Sequence, residues 1–374
     1  MFPQLASVIL LLLSLLIWTR APTFHFWLIA IILTEYCWIP LCMTLALFVW
    51  EISIDDGIGW LLIALLAGFS YASPLISAWL RRQVLVSDLY RLFPGKKPQA
   101  LLQQPFRIAV LVRGHGKGKV FPLKLTYKLS ETGPLSLSFY SAGKGLAPVV
   151  LVIHGGSWQK GDNTQLKDLN SYLALSGYHV AAMNYRLAPL NHFPAPVEDT
   201  ADALDYLKAH APELGIDPDR MVLLGRSAGG QIALMTAYTR VIPEIRGVIA
   251  LYTPADMVWG ALARSNKCVL NIDQIFLSYL GATYRDNPQW YEQSSPCAQV
   301  SPASPPTLII HGRRDSLVAF AHSTRLKAKL DQCRVRNYLL DLPFATHGFD
   351  FSLRGANGQL TVFAMERFLE SVTA

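Results

Sequence analysis

The sequence predicts an α/β protein: a mostly parallel sheet with helices on both faces, preceded by about three transmembrane helices. Three observations carry this. Apolar runs too long for ordinary core segments are confined to residues 1–80. From about residue 120, short apolar β-rich runs alternate with amphipathic helical stretches, the pattern of strand–helix–strand units. The charge divides along the same lines. Residues 1–80 carry one basic and four acidic residues (net −3), 81–147 carry twelve basic and two acidic (net +10), and 148–374 balance at 20 each. The averages over 374 residues, 52% hydrophobic and 16% charged, therefore describe no single part of the chain. A typical soluble domain has about 25% charged residues. This composition excludes a disordered chain, and five cysteines exclude a disulfide-stapled scaffold.

The first apolar run, residues 5–18, is broken only by Ser7 and Ser14. It is short for a span of roughly 20 residues, and a signal peptide is the alternative. Against that, residues 1–4 have no positive charge and no small-residue cleavage site follows. The second run, 24–50, contains Glu35 and Pro40, and the third, 58–80, has no charge. Glu35 is expensive in lipid; the plain expectation is that it faces another helix or His25, or is held protonated. Arg20, and Arg81 and Arg82 with the basic residues after them, flank the runs. Keeping them inside puts the N-terminus out and the C-terminal body in the cytoplasm. Cys268, Cys297 and Cys333 are then expected as free thiols, with Cys37 and Cys42 as packing residues.

Residues 81–119 form a basic juxtamembrane linker. Residues 81–93 read as an interfacial helix with Val84, Leu85, Leu89 and Leu92 on its oily side. Its charge suits anionic headgroups and equally fixes topology. It has no recognisable nucleic-acid motif. The segment 94–98, rich in Pro, Gly and Lys, is the best linker candidate.

In the body, 120–374, strands are expected at 120–129, 135–140, 149–153, 179–184, 221–224, 247–252, 307–310 and 337–342. Helices are expected at 166–176, 196–211, 229–238, 320–330 and 360–372. The insert 254–305, with Trp259, Phe276, Tyr279, Tyr284, Trp290 and Tyr291, is long and aromatic, as a lid or binding wall is.

Two glycine-rich segments follow apolar strands. In Gly225-Arg226-Ser227-Ala228-Gly229-Gly230, a strand turns abruptly into a helix. Glycines relieve the crowding, Ser227 is exposed on a strained turn, and the Ala228 amide faces a forming oxyanion. His154-Gly155-Gly156-Ser157-Trp158 offers further backbone amides, with His154 read as a prop for the loop. A nucleophilic serine needs a base and an acid to orient it. His347 lies in the loop after the last strand; His311, at a strand end, and His322, in a helix, are the other histidines considered. Asp315 lies just past a strand, and Asp341, within the last strand, is its rival. The order Ser227, Asp315, His347 is the one expected of a G-x-S-x-G hydrolase.

These pieces, together with Asn184-Tyr185-Arg186-Leu187-Ala188-Pro189 and Phe193-Pro194-Ala195-Pro196-Val197-Glu198-Asp199, resemble the α/β-hydrolase fold of the hormone-sensitive-lipase-like and BD-FAE-like esterase group. The resemblance runs from about residue 120 to the end. It implies Ser227 as nucleophile, His347 as general base, Asp315 as orienting acid, and an oxyanion hole from the amides of Gly155, Gly156, Ser157 and Ala228. It gives Glu198 and Asp199 a structural role, holding Arg186. It implies no cofactor and no metal. Three features depart from the pattern. Ser157 replaces a usual third glycine, Arg226 precedes the nucleophile (which favours the BD-FAE-like branch), and the N-terminal apolar region is additional. The site's cover would then come from the insert or the basic collar.

The function expected is a multi-pass, membrane-anchored serine hydrolase acting on small-molecule or lipid carboxylic esters. Acyl transfer by the same triad and a non-catalytic membrane scaffold are the alternatives. A transporter is disfavoured, since one intramembrane acid makes no pathway.

Overall fold

A computed structural model describes all residues except 1, 55–56, 95–103, 117, 144, 241 and 264–265. The expected linker at 94–98 therefore lies, but for Pro94, outside the described residues, as do Lys96, Lys97, Asp55 and Asp56.

Four helices come first: α1 (Phe2–Trp18), α2 (Phe24–Glu35), α3 (Trp38–Ser53) and α4 (Ile58–Leu92). They differ from the three spans expected. The second run is two helices, α2 and α3, bent by 76° at Tyr36–Cys37. Pro40 falls in the first turn of α3, where its missing N–H leaves no hydrogen bond unmade. Helix α1 is a short apolar helix, and among the described residues α4 alone is long and apolar enough to cross a membrane; the bent pair makes a second crossing only if it acts as one broken span. Nor is 81–93 a separate interfacial helix. It continues α4, which at 35 residues is about 50 Å long. Leu85 and Leu89 are buried against the body together with Phe93, while Val84 is exposed. Arg81 donates to the Asp341 carbonyl at 2.8 Å.

The body opens with α5 (Ile108–Arg113), β1 (Leu123–Ser130), β2 (Gly133–Tyr140) and β3 (Ala147–Ile153). Next come α6 (Lys167–Ala174), β4 (His179–Met183), α7 (Ala195–Ala209), α8 (Ala211–Leu214), β5 (Ile216–Arg226), α9 (Ala228–Thr239) and β6 (Ile245–Leu251). The insert contributes α10 (Met257–Leu262), α11 (Ile272–Leu280), α12 (Pro288–Gln293) and α13 (Pro296–Gln299). The chain closes with β7 (Thr307–Gly312), α14 (Ala321–Gln332), β8 (Asn337–Leu342) and α15 (Ala356–Val372). The eight strands form one sheet in the order β1-β2-β4-β3-β5-β6-β7-β8. The first two pairings are antiparallel and the remaining five parallel.

This is an α/β-hydrolase-like fold with a mostly parallel sheet. Strand β3 shows why. Its alternate residues serve two cores: Val149, Leu151 and Ile153 face α7, α9 and the insert, whereas Val150 and Val152 face α6, α15 and the end of α4. A strand covered on both faces must be apolar throughout. All five cysteines are free, and Cys42 is exposed rather than packed.

Candidate active site

Strand β5 ends at Arg226 and α9 begins at Ala228, leaving Ser227 alone on the turn with φ 52° and ψ −120°. A non-glycine residue there is strained by about 1–3 kcal/mol, a cost borne where the geometry serves a site. The flanking glycines are required by crowding. A Cβ on Gly225 would lie 2.2 Å from the Gly229 carbonyl oxygen, and one on Gly229 would lie 2.2 Å from that of Ile153.

His347, in the loop after β8, brings Nε2 to 3.0 Å from Ser227 Oγ, and its Nδ1 lies 2.7 Å from Asp315 Oδ2. With Nδ1–H donating to the carboxylate, Nε2 is free to accept the serine proton. Asp315 is fixed from all sides. Its Oδ1 accepts the Leu317 and Val318 amides, both at 2.8 Å. Its Oδ2 also accepts from His311 Nε2 at 3.1 Å. Burial alone would raise its pKa, but the charge and hydrogen bonds of His347 and His311 prevail and hold it below the usual carboxylate range.

The structure thus brings together the three residues expected and leaves the rivals elsewhere. His311 stands behind Asp315, with Nδ1 2.6 Å from Ser323 Oγ. Asp341 faces outward and is paired with Arg313. His154 bonds its own loop at the Gly155 carbonyl, 2.8 Å away, and stacks on Tyr185. Burial pushes its pKa down to about 4, so it is neutral. Asp199 accepts from Arg186 and Lys128, and Glu198 accepts from Arg186.

Among the amides expected to meet the oxyanion, Gly155 requires a correction. Its N–H donates to Gln165 Oε1 at 2.9 Å and is therefore spent. The amides of Gly156, Ser157 and Ala228 have no acceptor among the described residues. Ser157 adopts φ 56°, a conformation that the glycine usual at this position takes without strain. Trp158 stacks on Tyr279 of the insert at 4.2 Å. Both donate to Gln231 Oε1, at 3.0 and 3.1 Å, which pins the insert to the loop. The insert wall reaches the pocket beside Ser227 through Leu270, Ile272, Ile275 and Phe276, facing Ser157, Ser227 and Ala228.

Several residues of the site were not foreseen. Tyr252 lays its ring 4.3 Å from that of His347 and donates to Asp350 Oδ1 at 2.6 Å. Arg226 donates to the other oxygen of Asp350 at 2.5 Å, with both side chains fully buried. The N-terminal region also reaches the His347 loop. Trp27 of α2 donates its indole N–H to the His347 carbonyl at 3.0 Å. One turn on, Ile31 closes over Gly348. One turn further, Glu35 accepts from Asn357 Nδ2 at 2.7 Å and from the Gly358 amide, at the start of α15. Its partner is the body, then, not another N-terminal helix or His25. The spacing i, i+4, i+8 was visible in the sequence; nothing in it named the surface this face would meet.

The BD-FAE family model matches residues 135–330. The probable carboxylic ester hydrolase LipM of Mycobacterium tuberculosis is 31% identical over 243 residues, 62% of this chain and 56% of LipM. The esterase LipC of the same organism is 28% identical over 60% of this chain and 59% of LipC. The chain thus spans little more than half the length of these curated relatives. Among solved structures, an esterase from Pyrobaculum calidifontis superposes with a TM-score of 0.59 at 21% identity, covering 79% of this chain and 94% of that one. At that identity the likeness concerns the fold.

Proposed function

The chain belongs to the BD-FAE family, and from that premise we propose that it is a serine hydrolase of carboxylic esters, embedded in a membrane through its N-terminal helices. Ser227 attacks the ester carbonyl as His347 Nε2 takes its proton. The amides of Gly156, Ser157 and Ala228 hold the oxyanion; one such donor is worth about 3–4 kcal/mol of barrier. His347 then protonates the leaving alcohol, and water releases the acid from the acyl-enzyme. Asp315 keeps the imidazole in the required tautomer.

The observation that carries this reading is the chain from Ser227 Oγ through His347 to Asp315, at 3.0 and 2.7 Å. The curated relatives, named as an ester hydrolase and an esterase, favour the same chemistry. Membrane embedding rests on the apolar side chains that the N-terminal helices turn outward, among them Leu12, Val49, Leu62, Phe69 and Leu80. Arg81, Arg82 and Arg91 in the last third of α4 favour a cytoplasmic body by the bias of basic residues toward that side.

The test is hydrolysis of p-nitrophenyl butyrate by the full chain in detergent. Wild type is expected to turn over, and Ser227→Ala to lose at least about 10⁴-fold in kcat. Equal rates would refute the reading.

A further inference from the structure

Next to the catalytic pocket lies a cavity of about 660 Å³, walled by the α1–α2 turn at Arg20–Pro22, the insert, and the segment after Asp315. The two spaces share four lining residues: Leu270, Ile272, Leu317 and His322. Three are aliphatic, so His322 is the polar group at the neck between them.

His322 is 4% exposed, and its ring is fixed. The Asp256 backbone N–H donates to Nδ1 at 3.2 Å. Trp259 meets the ring edge-on at 4.9 Å, and a Cβ on Gly260 would lie 3.0 Å from Cε1. Since Nδ1 accepts, the proton of the neutral ring is on Nε2. Burial, aided by His311, pushes the pKa down to about 3, so the ring stays neutral at working pH. No acceptor for Nε2–H is found among the described residues, and the atom is not one of the sealed, unpaired polar atoms of the interior, so it is open to a molecule entering the space beside it. A donor that a bound molecule covers without pairing is costly, and this one borders the pocket that holds Ser227.

We infer that His322 is a substrate-binding residue whose Nε2–H takes a second oxygen of the substrate: the cavity receives esters bearing an ether, hydroxyl or further carbonyl oxygen near the scissile bond, as diesters and acylated polyols do. This rests on the esterase reading above. It makes His322 a specificity determinant and assigns it no part in proton transfer. A hydrocarbon chain in the same place leaves the donor unpaired, so the site discriminates between molecules of nearly equal shape.

Matched probes test this on the full chain in detergent. Butyl acetate is compared with 2-methoxyethyl acetate, and p-nitrophenyl butyrate with p-nitrophenyl methoxyacetate; each pair exchanges one CH₂ for oxygen, in the alcohol or the acyl part. His322→Asn keeps an acceptor for the Asp256 amide but has no donor at the Nε2 position. His322→Gln restores donor reach. In at least one pair, His322→Asn is expected to lower kcat/KM for the oxygen probe about threefold to tenfold, the worth of one neutral hydrogen bond. The hydrocarbon partner should stay within twofold, and His322→Gln should recover part of the loss. Equal losses for both members of each pair, or none, would overturn the inference while hydrocarbon-ester cleavage left the esterase reading intact. Failure of wild type to cleave any of the four would overturn both.

Discussion

Two regions of this chain carry continuous apolar segments and use them in opposite ways. In the body, β3 is apolar and sealed, with residues 149–153 no more than 2% exposed. In the N-terminal helices, apolar side chains of the same kind face outward, Phe69 at 61% and Leu80 at 63%. A contiguous apolar surface of that extent marks a membrane or partner face. Hydrophobic content therefore fixes no environment by itself; the solvent each residue is matched to does. The regions are also joined at the chemistry. Helix α2 meets the His347 loop through Trp27, Ile31 and Glu35, so the apolar region braces the histidine and walls the cavity beside it.

If catalysis belongs to the body, the largest effect comes from its interior. Asp315→Asn is expected to lower kcat about 10⁴-fold, since the amide favours the wrong imidazole tautomer, while the thermal midpoint stays near wild type. Normal kcat would break the assignment. Next is the pair under the nucleophile. Asp350→Ala leaves Arg226 buried and uncompensated, and should cost about 3–5 kcal/mol in denaturant unfolding. The double variant Arg226→Met/Asp350→Ala should recover much of that.

A third effect separates the regions by pH. His154, neutral in the body, titrates near 4 when folded and near 6.5 when unfolded. Below about pH 6.5 the unfolded chain binds more protons than the folded one, so stability falls as pH drops through that window. The loss is about 2 kcal/mol by pH 5. His154→Gln should flatten this slope in unfolding measured at pH 7 and pH 5; an unchanged slope would contradict the assignment of His154 as a buried neutral group. The smallest effect tests the join. Trp27→Phe keeps an aromatic ring but removes the donor to the His347 carbonyl. About 1 kcal/mol should appear as a roughly fivefold fall in kcat with KM within twofold. An unchanged kcat would make the contact a packing detail.

Much of the body was legible because its signals are local. Continuous apolar runs fix the parallel strands, and Gly225 and Gly229 are dictated by a turn within a few residues of each. The order of Ser227, Asp315 and His347 pointed to the three side chains that the fold brings within hydrogen-bond reach. What escaped depends on contacts far apart in sequence. Gly155 belongs to a glycine loop that suggests an oxyanion donor, and only the folded position of Gln165 shows that its amide is spent. His311 reads as a rival base until Asp315 is seen between it and His347. The second apolar run reads as one span by composition, but it bends at Tyr36–Cys37, beside a Glu35 committed to the start of α15. Leu85 and Leu89 have the pattern of an interfacial helix, and they bury themselves on the body because α4 runs on without a break.

The central claim is that Ser227 is an activated nucleophile, and covalent labelling tests it most directly. The full chain in detergent is treated with a fluorophosphonate and its mass measured, followed by peptide mapping. Wild type is expected to gain one adduct, on Ser227, and Ser227→Ala none. No adduct on folded wild type, or an adduct that persists in Ser227→Ala, would contradict the account.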